Sequence, residues 1–214
     1  MRYEKTNCIA LDASPSGESD KTLLLCTQTF GKITAVAPGA LKPAARLSAS
    51  LEPFRESRIS LWGRPHSFRN RITSAVVEEP FAGLFDSGER IRQAFECARI
   101  YAAVTPYFET DDVKYNLVRR SLELLSRSDN PRVITPAFTL RMLKISGYDF
   151  ARQYPRARLA DRRIAVLAER LARLSGDDLA FEKVDDESAS RLTFALEAYI
   201  EDICGAKRRP AAAL

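Results

Sequence analysis

Residues 21–39, KTLLLCTQTFGKITAVAPG, decide the fold of the first part of this chain, because they contain two short apolar runs. The period of the first run, residues 21–27, suits a strand or a helix, but Phe30-Gly31 stops it after one strand length. The second run, residues 32–37, is rich in β-branched residues and ends at Pro38-Gly39. The stretch therefore predicts two successive strands.

Three further stretches predict strands in the same region. Residues 7–11 form a short apolar run that ends in the turn cluster at residues 13–17. Residues 58–62 alternate polar and apolar side chains, as a half-buried strand does, and residues 71–77 end in three apolar residues. About five strands at short, regular intervals indicate a small barrel or sandwich over residues 1–80.

Beyond Pro80 and Gly83 the apolar spacing changes to that of amphipathic helices, and glycines follow several of the apolar stripes. We expect an α+β chain with a β domain at 1–80, an all-α helical bundle at 81–205 and a basic flexible tail at 206–214. The stripes are Ile91, Phe95, Ala98 and Tyr101; Val113, Leu117 and Leu125, with Leu122 beside them; Ile134, Phe138, Met142 and Ile145; Ile164, Leu167, Leu171 and Leu174; and Leu192, Leu196, Tyr199 and Ile203.

Catalytic and metal-binding patterns are absent from the sequence. His66, the single histidine, has no nucleophile motif near it, and neither type of glycine-rich nucleotide-binding loop occurs. The four cysteines are far apart in the sequence, which favours buried reduced thiols over a zinc site. We therefore expect no enzymatic activity and no cofactor. An apolar signal core and membrane spans are also absent, which predicts a cytoplasmic protein.

Positive charge is concentrated between Phe30 and Thr73. Eight basic and two acidic residues give this segment a net charge of +6, against +5 for the whole chain. Lys and Arg neutralise phosphates, and aromatic rings stack on unpaired bases, so the segment is typical of a barrel that binds single-stranded nucleic acid. The interleaved aromatic residues also have a simpler interpretation, as barrel core. They are Phe30, Phe54, Trp62 and Phe68.

Several motifs resemble those of the RecO family. A Gly17-to-Lys21 turn is followed by Thr29-to-Ala40, TFGKITAVAPGA, and then by Leu51-Glu52-Pro53-Phe54. Further on, Leu143-to-Tyr148, LKISGY, is similar to the end of a family helix, and Tyr199-to-Gly205 resembles the family's final helix. The likeness covers most of the chain and is strongest over residues 9–80.

The resemblance implies an N-terminal OB-fold barrel and a helical C-terminal domain. It also implies binding of single- and double-stranded DNA, annealing of complementary strands, and loading of RecA with the partner RecR, in a nucleoid-associated protein. The resemblance also suggests the single-stranded-DNA-binding protein as a further partner. Lys32 falls on the family's basic residue after the strand-end glycine, and Lys42 and Arg46 fall in its basic loop. Charge alone adds Arg58, Arg64, Arg69 and Arg71 as candidate DNA-binding residues.

The chain also departs from the family pattern. The four-cysteine zinc module that many members carry after Gly-Tyr is missing after Tyr148. Many family members have a basic residue just before the phenylalanine of the helix that precedes Gly-Tyr, in the region linked to the tail of the single-stranded-DNA-binding protein. Here Ala137 precedes Phe138, and Arg141 or Lys144 on the next turn is the candidate substitute. Two alternatives to DNA binding remain open. In the first, the barrel is an adaptor that binds a protein partner, and its positive charge is incidental. In the second, the barrel binds RNA.

Overall fold

The computed structural model describes residues 2–42, 46–64, 67–68, 70–150, 162–174 and 176–205. Its five strands form a barrel in the order β1-β2-β3-β5-β4, and pairing of β4 with β1 closes this barrel. This arrangement confirms the predicted N-terminal OB-fold barrel. The strands are β1 (Arg2–Ser16), β2 (Asp20–Thr27), β3 (Gly31–Ala37), β4 (Glu56–Gly63) and β5 (Asn70–Glu79).

The remainder of the described chain is helical, as the apolar stripes predicted. Each of the five stripes lies on a helix, except that Leu174 directly follows its helix. The 3₁₀ helix Ala82–Asp86 and two five-residue α-helices, Arg46–Ser50 and Gly176–Ala180, were not predicted. The helices are α1 (Arg46–Ser50), α2 (Gly88–Val104), α3 (Asp112–Arg127), α4 (Pro131–Ile145), α5 (Arg162–Arg173), α6 (Gly176–Ala180) and α7 (Asp186–Cys204). Within the described ranges, none of these helices is long and apolar enough to cross a membrane.

Alternate residues of β1 face two different cores. Cys8 and Ala10 point into the barrel, whose interior also holds Ile33 of β3. Ile9 and Leu11 point outward and pack in the core of the helices. A strand buried on both faces needs an unbroken apolar run, which explains why residues 8–11 do not alternate with polar residues.

The barrel is joined to the helices by this second core. Phe54, fully buried after α1, lies in the same core cluster as Tyr101 of α2. The strands end at Glu79 and the 3₁₀ helix begins at Ala82, close to the predicted boundary at residue 80. Because apolar contacts continue across that point, the division into two domains stays a prediction. The predicted tail at 206–214 and most of the segment after Tyr148 lie outside the described residues.

Two members of the predicted stripes are exposed. The side chain of Val113 is 60% exposed at the start of α3, and that of Phe95 on α2 is 44% exposed. The Phe95 ring makes an edge contact with Phe54, with 4.7 Å between ring centroids. Spacing alone therefore identifies a helix face but does not show which of its residues are covered.

Candidate nucleic-acid interface

The structure describes the side chains of five of the seven basic residues predicted to bind DNA, and four of these five are exposed. Arg58 on β4 and Arg71 on β5 each lie between two buried neighbours, so both side chains point away from the barrel interior. Lys42 lies just after the turn that ends β3, and Arg64 directly follows β4. These four residues form the exposed basic set of the barrel.

Lys42 and Arg71 lie near one carboxylate, that of Asp20 at the start of β2. The Asp20 carboxylate accepts hydrogen bonds from the Gly39 backbone N–H at 2.8 Å and from the Ser19 hydroxyl at 3.0 Å. These bonds lower the pKa of Asp20, and the positive charges of Arg71 and Lys42 lower it further. The two cations, which are 29 residues apart in sequence, therefore lie at the same end of the barrel.

Cross-strand pairing places Arg71 in a row of residues that crosses four strands. Arg71 is paired with Val36 of β3 on one side and with Trp62 of β4 on the other, and Trp62 is paired with Tyr3 of β1. Directly paired residues share a face of a sheet. Because Arg71 and Tyr3 are exposed, the row lies on the outside of the barrel.

The four residues of the exposed basic set differ from one another in whether they form an ion pair. Arg58 is paired with Glu78 across β4 and β5, with 3.1 Å between nitrogen and oxygen. Among the described residues, no carboxylate lies within 4.0 Å of the charged group of Lys42, Arg64 or Arg71. These three cations can therefore bind a phosphate without first breaking an ion pair within the chain.

The other three predicted residues have different positions. Arg46 is the first residue of α1, and Arg69 lies outside the described residues. Lys32 is only 6% exposed. Of the three residues taken from the family motifs, only Lys42 is therefore described as an exposed cation.

Lys32 binds the C-terminal end of α2. Its ammonium donates a 2.6 Å hydrogen bond to the backbone carbonyl of Ala102 and lies 4.5 Å from the centroid of the Tyr107 ring. A cation is stabilised at this end of a helix by the unpaired carbonyls. Burial lowers the pKa of Lys32, because it removes water from the ammonium. A phosphate contact of the kind predicted for Lys32 would require these interactions to break.

The four aromatic residues of the basic segment have different environments. Phe30 is half-buried against the barrel core, as the core interpretation predicted, whereas Phe54 is fully buried in the core between the barrel and the helices. Trp62 is half-buried on the outer face of β4, and Phe68 is 57% exposed. Trp62 and Phe68 are therefore the better candidates for contact with a base, because Phe30 packs against the barrel core and Phe54 is buried.

A short connector between α2 and α3 lies beside β3 in a part of that strand that is not paired with β5. These strands pair only near Ala35 and Val36, and the start of β3 pairs instead with the connector at Tyr107. Gly31 has a φ of +64°, and a Cβ there would overlap the backbone carbonyl of Glu109. Glycine at this position permits both the turn and the close approach of the connector.

Phe68 packs on this connector. Its ring centroid lies 5.1 Å from that of Tyr107 and 4.9 Å from that of Phe108, with the rings at steep angles. Tyr107 is itself 42% exposed. Sequence reasoning missed Tyr107 and also Tyr3, because both lie outside the basic segment, and only the strand pairing and the connector bring them to the barrel surface.

A buried carboxylate fixes α3 against the barrel. Glu56, at the start of β4, is 5% exposed and accepts 2.8 Å hydrogen bonds from the Tyr115 hydroxyl and the Arg119 Nε. Burial, followed by the adjacent carboxylate, raises the pKa of Tyr115. The Arg119 guanidinium compensates the buried charge, so this group holds the two parts of the chain together instead of offering a site.

The helical residues considered for partner binding are also placed. Arg141 donates hydrogen bonds to the carbonyls of Leu171 and Leu174 at the end of α5, whereas Lys144 is exposed. Arg141 is therefore occupied in this structure and Lys144 is accessible. Across the described residues, no group of three or more His, Cys, Asp or Glu side chains is arranged to hold a metal ion.

The closed five-stranded barrel, with cations and aromatic rings on its outer face, places the N-terminal part of the chain among OB-fold proteins. Residues 1–81 match the family described as "Recombination protein O N terminal". The match assigns the N-terminal barrel to the RecO family, as the motifs predicted.

Relatives named "DNA repair protein RecO" extend the match beyond the barrel. The one from Pelotomaculum thermopropionicum is 32% identical over 148 residues, which cover 69% of this chain and 57% of the relative. Those from Heliobacterium modesticaldum and Symbiobacterium thermophilum are 29% and 31% identical, over 69% and 61% of this chain and 53% and 51% of their own lengths. The chain thus spans little more than half the length of these relatives.

Proposed function

We propose that this chain is a mediator of DNA repair and homologous recombination that binds single- and double-stranded DNA through the outer face of its barrel. It promotes strand annealing and, with RecR, assists the loading of RecA. The observation that carries the proposal is the placement of Lys42, Arg64 and Arg71 on an OB-fold barrel of the RecO family, exposed and without a neighbouring carboxylate within ion-pair distance among the described residues.

Annealing follows from the physical chemistry of this surface. Two complementary strands repel one another through their phosphates, and basic residues that neutralise those phosphates lower the repulsion. The barrel needs no reacting group for this activity. The proposal accordingly assigns no catalytic residue.

The assignment of the contacts follows exposure. Lys42, Arg64 and Arg71 are proposed to contact phosphates directly, and Arg58 to join them by exchanging Glu78 for a phosphate. Arg46 and Arg69 remain proposed contacts on charge and resemblance alone. Lys32 is proposed to act indirectly, by holding α2 and the connector against the barrel.

A fluorescence-anisotropy titration with a labelled single strand tests direct binding. The proposal predicts an affinity that falls steeply as salt rises, because phosphate contacts release counterions. The charge-reversal variants Lys42→Glu and Arg71→Glu are expected to weaken binding to every sequence alike. Arg191→Glu on α7 makes the same change of charge in the helical part of the chain and serves as the control.

The two alternatives predict other results. An adaptor that recognises a protein through its barrel would give no DNA binding, or binding that is insensitive to salt. An RNA-binding module would prefer RNA when single-stranded DNA and RNA of one sequence compete. Either outcome would replace the proposed function.

The partners in the helical part rest on the resemblance to RecO proteins. RecR binding is proposed for the chain as a whole, and localisation to the cytoplasm and nucleoid follows from the proposed role. For the tail of the single-stranded-DNA-binding protein, Lys144 is the better candidate because Arg141 is occupied by α5. Pull-down with purified RecR and with a peptide of that tail, comparing Lys144→Glu with the unaltered chain, measures both interactions.

A further inference from the structure

Large aromatic side chains are unusually exposed on the outside of the barrel and on the connector between α2 and α3. Tyr3 is 69% exposed, Phe68 is 57% exposed and Tyr107 is 42% exposed, although rings of this size usually contribute to a core. The barrel interior is filled by aliphatic side chains such as Leu25, Ile33 and Ile59, so these rings are not needed there. Clustered exposed apolar groups on a folded protein generally mark a binding surface.

The hairpin formed by β4 and β5 combines these rings with cations. Trp62 is the next-to-last residue of β4, Arg64 follows the strand, Phe68 lies two residues before β5, and Arg71 is the second residue of β5. Rings and guanidinium groups thus alternate along one hairpin. A single strand presents bases and phosphates in a comparable alternation, whereas a duplex hides the faces of its bases inside the stack.

On this hairpin the Phe68 ring is held by neighbouring rings, and the backbone of Trp62 is held by the strand ladder. Phe68 meets Tyr107 at 72° and Phe108 at 66°, and these two contacts restrict its rotation. Ladder pairing on both sides, to Tyr3 and to Arg71, fixes the backbone from which the Trp62 side chain extends. A fixed ring loses little conformational freedom when a ligand stacks on it, which favours binding.

We propose that Trp62 and Phe68 stack on unpaired bases, and that this stacking makes the barrel prefer single-stranded DNA over duplex. The inference rests on the proposed function and adds residues to it. The cations contact the phosphates that both forms of DNA share, while the two rings contact base faces that only the single strand exposes.

An abasic oligonucleotide separates the two kinds of contact, because it keeps the phosphates and lacks the bases. The unaltered chain should bind the abasic strand about tenfold or more weakly than the normal strand, since stacking on one base alone accounts for roughly a 5- to 150-fold effect. Phe68→Leu and Trp62→Leu should each weaken binding to the normal strand severalfold. Their affinities for the abasic strand and for duplex should stay within twofold of the unaltered chain.

The matched control is Phe194→Leu, which alters a ring on α7 that is 69% exposed, similar to Phe68. It should leave all three affinities unchanged. Trp62 is the single tryptophan of the chain, so its emission reports on the site directly and should be quenched by the normal strand but much less by the abasic one.

Three results would overturn the inference: equal affinity of the unaltered chain for normal and abasic strands, unchanged Trp62 emission at saturation, or equal losses for all three ligands in both ring variants. Phe68→Leu keeps the tryptophan signal, so a folding defect of Trp62→Leu would not prevent the test. If the unaltered chain binds none of the ligands, the proposed function fails. If it binds normal and abasic strands equally, only the stacking inference fails.

Discussion

Replacing Lys32 by methionine tests whether this residue joins the barrel to α2. Methionine keeps an unbranched stem of similar length but removes the ammonium that binds the Ala102 carbonyl at 2.6 Å and faces the Tyr107 ring. A hydrogen bond from a charged group contributes about 1.5–3 kcal/mol, and a cation at a helix C-terminus or over a ring adds roughly 0.5–1 kcal/mol.

The opposing effect is the cost of burying the ammonium, which the apolar methionine no longer incurs. Because Lys32 is only 6% exposed, removing this desolvation cost offsets part of the free energy that is lost with the two interactions. We expect a net loss of about 1–2 kcal/mol in the free energy of unfolding, since the Ala102 carbonyl is left without its donor.

Guanidinium denaturation measures this loss, and Lys42→Met is the matched control. Lys42 is exposed, so its substitution should change stability by no more than about 0.5 kcal/mol while weakening DNA binding. Lys32→Met should show the opposite pattern. Unchanged stability of Lys32→Met together with a loss of DNA affinity equal to that of Lys42→Met would refute the structural role and restore Lys32 as a phosphate contact.

Three other perturbations test the joints between the barrel and the helices. Gly31→Ala should lose about 3 kcal/mol in denaturation, from strain at positive φ and overlap with the connector, whereas Gly17→Ala, at similar φ in open space, should lose only about 1 kcal/mol. Glu56→Gln should lose about 2 kcal/mol by the same assay, below the usual cost of breaking a buried ion pair because Arg119 is 41% exposed; an unchanged midpoint would contradict the role of Glu56. Because the pKa of Tyr115 is raised in the folded state, its contribution is complete below the usual tyrosine pKa of about 10 and is lost as pH rises above it. Stability measured from pH 8 to 11 should therefore fall less steeply in Tyr115→Phe, and parallel curves would exclude this origin.

The barrel was predictable because its strands carry their own signals. The apolar run of β2, the β-branched run of β3 and the alternation of β4 each reflect local burial, and all three appear in the structure. The length of β1 was not predictable, since residues 2–6 lack an apolar pattern and become a strand only by pairing with β4. Short helices such as α1 have too few residues to show a period.

The candidate site was predictable only in part. Net charge identified the basic segment, and the exposed Lys42, Arg64 and Arg71 belong to it. The environment of Lys32 could not be predicted, because its partner Ala102 is 70 residues away and offers a backbone carbonyl, which leaves no trace in side-chain chemistry. Tyr3 likewise lies in the same cross-strand row as Arg71 only because β1 pairs with β4 in the closed barrel.

The salt dependence of single-strand affinity in the double variant Lys42→Met/Arg71→Met tests the central claim most directly. Each lost phosphate contact lowers the slope of log affinity against log salt by about 0.7, so the double variant should have a slope lower by about 1.4. Arg191→Met, which removes a charge from α7, should keep the slope of the unaltered chain. A double variant with an unchanged slope would contradict the assignment of DNA binding to this face of the barrel.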